Sequence, residues 1–89
     1  MPSGADSTPD MYTLYMSPLG EITLDLNSIR ISGFNIYVAG YDNNRERIDF
    51  TMEKICYLED IPYGFGYCHI LSYTKGGIST PCNVYRSLS

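Results

Sequence analysis

At 89 residues, 44% hydrophobic and 18% charged, the chain has room for one domain with one core, and its composition is that of a globular protein. A formal charge of −4, with only six basic residues and no run among them, excludes a surface built for non-specific nucleic-acid binding, which needs clustered Lys and Arg to displace counterions. Nine tyrosines, three phenylalanines and no tryptophan place the aromatic content in a side chain with an apolar body and a polar tip, suited to half-buried strands and to contact surfaces alike.

Met1–Asp10 is polar, carries two prolines and reads as a flexible arm ahead of a domain spanning 11–89. It lacks the apolar stretch of an export signal, and no later segment approaches the length of a membrane span. Cys56, Cys68 and Cys82 make an odd cysteine count. Together these predict reduced thiols in a cytoplasmic setting.

From Met11 the chain reads as strands. Met11–Met16 is rich in strand formers, and Ser17-Pro18-Leu19-Gly20 is a turn. Glu21–Leu26 alternates, with Ile22, Leu24 and Leu26 on one face, and completes a hairpin. Asn27-Ser28 breaks that alternation, Ile29-Arg30-Ile31 resumes it, and Ser32-Gly33 turns again. Asn35–Tyr41 is the strongest strand signal. Asp42-Asn43-Asn44 supplies a reverse turn, because Asn and Asp tolerate left-handed backbone geometry. Glu46–Thr51 follows with Ile48 and Phe50 inward. Met52–Asp60 fits either a continued strand or one or two helical turns, and Ile61-Pro62-Tyr63-Gly64 turns. Phe65–Tyr73 is a long strand whose bulky row, Phe65, Tyr67, His69, Leu71 and Tyr73, is the natural candidate for its core face. Thr74-Lys75-Gly76-Gly77 then turns into Ile78–Tyr85, where Pro81 predicts a sheet edge or a bulge. Consecutive hairpins with strands every 8–12 residues or so predict an all-β fold, a small SH3-like or Sm-like barrel curved enough to protect its edges.

Three local patterns resemble a WYL domain, a regulatory β-barrel module. Tyr15-Met16-Ser17-Pro18-Leu19-Gly20-Glu21-Ile22-Thr23 looks like that family's opening hairpin. Asn35-Ile36-Tyr37-Val38-Ala39-Gly40-Tyr41-Asp42 looks like its name-giving strand, with Ile36-Tyr37-Val38 where Trp-Tyr-Leu would stand. Phe50-Thr51-Met52-Glu53-Lys54-Ile55 resembles the Phe-x-Leu-Asp-Arg-Ile segment that follows. The likeness covers about half the chain (Tyr15–Ile61) and implies a regulatory barrel that senses a nucleotide or short nucleic acid. Two positions that carry arginines of the family's ligand surface here hold Asp25 and Ile48, a carboxylate and a hydrophobe.

No catalytic constellation is legible. Cys68 and His69 are neighbours on a predicted strand and point to opposite faces, which argues against a Cys–His pair and against zinc, as does the lack of any Cys-x-x-Cys knuckle. The glycines form no phosphate loop. What remains is surface. With Ile36, Val38, Ile48 and Phe50 inward, Tyr37, Tyr41 and Arg47 share the opposite face of one hairpin, a composition favoured at binding hot spots. The sequence therefore predicts a module that is not an enzyme and needs no cofactor or metal. It would dock on another protein through Tyr37, Tyr41 and Arg47, as a stand-alone accessory or inhibitor of the kind phages carry. The alternative is a WYL-like sensor that binds a nucleotide or short nucleic acid through tyrosine stacking together with Arg45, Arg47 and Lys75.

Overall fold

The computed structural model describes residues 11–54 and 67–88. Six strands follow one another as an antiparallel meander: β1 (Met11–Met16), β2 (Gly20–Ser32), β3 (Asn35–Tyr41), β4 (Arg47–Glu53), β5 (Tyr67–Lys75) and β6 (Ile78–Ser87). Each pairs with its sequence neighbour, so the sheet order is the chain order. The sheet curls into a half-barrel that brings β1 and β6 into contact, with no ladder between them among the described residues. The fold is all-β, as the hairpin spacing predicts. The arm at Met1–Asp10, the turn at Ile61-Pro62-Tyr63-Gly64 and Phe65 lie outside the described residues. Of the ambiguous Met52–Asp60 stretch, Met52 and Glu53 extend β4, Lys54 begins a turn, and the rest lies outside them too.

The turns follow from residue chemistry. Gly76-Gly77 forms a two-residue loop between the paired Lys75 and Ile78, with φ of 60° and 81°. Positive φ at both positions is what a type I′ hairpin requires, and its twist matches that of the flanking strands. The Asp42 turn departs from expectation in one respect: the left-handed residue is Arg45, at φ 63°, not an Asn or Asp. The Asp42 side chain organises this turn, its Oδ1 accepting the N–H groups of Asn44 (2.8 Å) and Glu46 (2.9 Å). The loop can then close only with Arg45 turned over, its own N–H donating to Asp42 O at 2.9 Å.

The core is the inner face of the sheet. Leu14, Met16, Ile22, Leu24, Ile36, Val38, Ile48, Phe50, Met52 and Ile70 are all buried. Burying each of the larger aliphatic or aromatic side chains contributes roughly 1.5–3 kcal/mol, the term that holds so small a domain together. Gly40 lies among them, opposite Leu24 and Ile48, and leaves just enough room for Ile22, Leu24 and Phe50 to close over it.

On β5 the core face is the reverse of the expected one. Cys68 and Ile70 are buried while Tyr67 is 71% exposed. The ladder explains this. Thr51 pairs with Ser72 but Met52 pairs with Ile70, so Leu71 is an extra residue. A bulge shifts side-chain parity, and beyond it Tyr73 turns inward against Phe50, ring centroids 6.2 Å apart. The bulky row is thus split between the two faces. Pro81 occupies an edge strand beside a second irregularity, between the Ile70–Val84 and Ser72–Pro81 pairs.

Candidate functional site

The outer face of β3 and β4 carries three of the aromatic and basic side chains singled out by the sequence, Tyr37, Tyr41 and Arg47. Ile36, Val38, Ile48 and Phe50 are buried, so Tyr37, Tyr41 and Arg47 lie on the other side. A concavity of about 260 Å³ opens there, lined in part by Ser28, Arg30, Tyr37, Arg47, Asp49 and Thr51.

Its geometry begins with a break in β2. Between the Asp25–Ala39 and Arg30–Tyr37 pairs the register shifts, and β2 accommodates extra residues. Ser28 stitches this bulge: its hydroxyl donates to Asp25 O at 2.6 Å and accepts from Ala39 N at 2.8 Å. Leu26 and Ile29 remain packed against the core on either side of it. The shift brings Arg30 opposite Tyr37 and sets its guanidinium 5.4 Å from the ring centroid, a cation–π contact. The Tyr37 hydroxyl accepts from Asn35 Nδ2 at 3.3 Å, which fixes the far end of the ring.

Arg47 enters from β4 beside Tyr41, its register partner. Its Nε donates to Asp49 Oδ1 at 2.9 Å, and both side chains are exposed. That hydrogen bond raises the Arg47 pKa further above its ordinary value, helped by the charges of Asp49, Tyr41 and Asp25. The lining of the concavity is therefore mixed in charge, with basic side chains at Arg30 and Arg47 and an acidic one at Asp49, and Asp25 adds its charge to the field at Arg47.

Of the five residues picked out from the sequence, Tyr37 and Arg47 line the concavity and Tyr41 flanks Arg47. Arg45 is exposed in the β3–β4 turn. Lys75 is not part of the face. It pairs in register with the buried Ile48, and its ammonium goes to Asp42 Oδ2 (3.2 Å) and Glu46 Oε1 (3.6 Å). Asp42 holds the Lys75 pKa above its usual value. Lys75 thus ties the end of β5 to the β3–β4 turn that carries Arg45. Ile48 is in the core, and Asp25 Oδ1 accepts from Asn27 N within the bulge. Sequence reasoning passed over Arg30 and Ser28. The broken alternation at Asn27-Ser28 was their only signal, and it fixed neither the bulge's size nor the new register.

A scan against protein-family models matches none, and searches of curated proteins and of solved structures return no match. The outer face therefore stands on its own geometry. Cys68 and His69 do point to opposite sides of β5, Cys68 into the core. Among the described residues no helix is long and apolar enough to cross a membrane.

Proposed function

We propose that this chain is a non-catalytic, SH3-like regulatory module, akin to WYL domains, that docks on another protein through the outer face of β2–β4. The observation that carries this reading is the Arg30–Tyr37 stack beside the Arg47–Asp49 pair at one concavity. Tyrosine and arginine are the residue types enriched at binding hot spots, since each presents broad contact area with a polar tip. The mixed charge favours a protein surface, which offers both signs, over a polyphosphate, which Asp49 and Asp25 would repel. A nucleotide is the second reading, supported by the same stack, because a tyrosine flanked by a guanidinium also suits a base.

The test is affinity capture from a cell extract with the wild-type chain and with Tyr37→Ala and Arg30→Glu, each checked for a native circular-dichroism spectrum. The reading expects one protein retained by wild type and weakened about 30-fold or more in both variants, the loss typical of a hot-spot residue. Equal retention by all three chains sinks it. A thermal shift with a phosphate-bearing compound, abolished by the same variants, replaces it with the nucleotide reading.

A further inference from the structure

The chain's one histidine occupies a different part of the outer face, and docking at Tyr37 makes no use of it. His69 projects from β5 on the side opposite the buried Cys68 and Ile70, and its side chain is only 11% exposed. Nδ1 meets Glu53 Oε1 on β4, and Nε2 meets Asn83 Oδ1 on β6. The ring stacks on Tyr85, its register partner, with centroids 4.2 Å apart and planes 8° from parallel. One imidazole thus joins three strands.

It joins them beside a break in the backbone ladder. Between the Ile70–Val84 and Ser72–Pro81 pairs β6 carries one residue more than β5, and Asn83 sits in that stretch at φ 53°. Pro81 has no N–H to contribute. With the register interrupted at Cys82 and Asn83, side-chain links add to the main-chain pairing of this part of the edge strand.

We propose that His69 is a proton-operated latch, fastening β6 to the sheet through Glu53 and Asn83 when the imidazole is charged and loosening it when the imidazole is neutral. Both acceptors are oxygens, so both ring nitrogens must carry a proton for the two bonds to coexist. When one proton leaves to water, the carboxylate of Glu53, an acceptor only, retains Nδ1–H. The bare lone pair of Nε2 then faces Asn83 Oδ1, acceptor against acceptor. Asn83 either turns its amide over to present Nδ2–H or withdraws with its segment of β6, and the latch requires the second.

The surroundings favour the charged form. Glu53 is the carboxylate facing the ring from β4. Tyr85 covers it from β6, and Tyr67 stands two residues before it on β5. Arg86 is in register with Cys68, on the opposite face, and its guanidinium donates to Tyr85 O at 2.9 Å. The hydrogen bond to Glu53, then that to Asn83, hold the imidazole pKa above its ordinary value, and partial burial opposes them. The latch therefore contributes fully below the unfolded histidine's pKa, about 6.5, and is lost as pH rises through the raised folded value.

A single histidine makes the test direct. NMR titration of the full chain reads the His69 midpoint, and amide hydrogen exchange, corrected for intrinsic rates, reads β6 against β3 in the same samples. The latch requires a midpoint above 6.5 in wild type, a lower one in Glu53→Gln and a higher one in Asn83→Asp, whose carboxylate offers only acceptors. It also requires protection at Asn83–Ser87 to fall relative to β3 as pH crosses the midpoint, and His69→Gln to abolish that dependence. A midpoint at or below 6.5 overturns the proposal. So does β6 protection that tracks β3 at every pH, which would mean that the Asn83 amide merely turns over. If His69→Gln does not fold, the comparison of wild type with Glu53→Gln decides.

Discussion

Lys75 Nζ donates to Asp42 Oδ2 at 3.2 Å, tying the end of β5 to the β3–β4 turn across 33 residues of sequence. Asp42 is buried, and its second oxygen accepts the N–H groups of Asn44 and Glu46. One carboxylate therefore shapes a turn and anchors a neighbouring hairpin.

That arrangement predicts acid sensitivity. The Glu46 N–H chiefly, then Lys75 and the Asn44 N–H, hold the Asp42 carboxyl below the usual carboxylate range, while burial opposes them. A depressed folded pKa contributes stability above the unfolded value, about 3.9, which is lost as pH falls through the folded value. Melting temperature followed from pH 7 downward should fall below about pH 4 in wild type. Asp42→Asn should melt lower at neutral pH and lose less on acidification. Parallel curves for the two chains would refute this account of the turn.

Gly40 predicts a steric effect. A Cβ on it would lie 2.9 Å from Ile22 Cγ2, 3.0 Å from Phe50 Cε2 and 3.1 Å from Leu24 Cδ2. All three neighbours are fully buried core side chains with little room to yield. Gly40→Ala should cost about 1–3 kcal/mol, the usual penalty of overpacking, and lower the melting temperature by at least about 4 °C. Chemical denaturation with an unchanged slope is the check.

Arg45 predicts a gain. At φ 63° an L side chain costs roughly 1–2 kcal/mol, and glycine removes that penalty while adding its own unfolded-state entropy cost of about 0.5–1 kcal/mol. Arg45→Gly should stabilise the chain by about 0.5–1 kcal/mol. A melting temperature that falls would show the Arg45 side chain to be holding the turn.

The thiols should be sluggish. Cys68 is buried, and Cys82 packs against the core with its Sγ donating to Ile70 O at 3.5 Å. Burial pushes the Cys82 pKa up, which keeps it protonated and a poor nucleophile at neutral pH. Thiol reagents at pH 7 should modify these two positions only on the timescale of unfolding, read by mass spectrometry after proteolysis. Labelling of Cys82 in native conditions at the rate of a small-molecule thiol would contradict this.

Much of the hairpin plan was legible because it rests on local chemistry. Glu21–Leu26 alternates with a period of two, Gly76-Gly77 permits one kind of tight turn, and the inward set Ile36, Val38, Ile48 and Phe50 follows from pleat geometry alone. That set also placed Tyr37, Tyr41 and Arg47 on one face. The pairing of Lys75 was not legible because its partner Asp42 lies on another hairpin, and charge composition does not show which basic side chain is already engaged.

The sequence by itself determined that the chain makes strands, where the tight turns fall, and which residues of β3 and β4 face inward, since each depends on neighbours a few positions away. Only the tertiary structure decided the bulges at Asp25–Arg30, Leu71 and Asn83, and with them the burial of Cys68, the Arg30–Tyr37 stack and the clasp around His69. An inserted residue reverses side-chain parity for the rest of its strand. The need for it arises from curling six strands around one core, a condition that no single strand carries in its own residues.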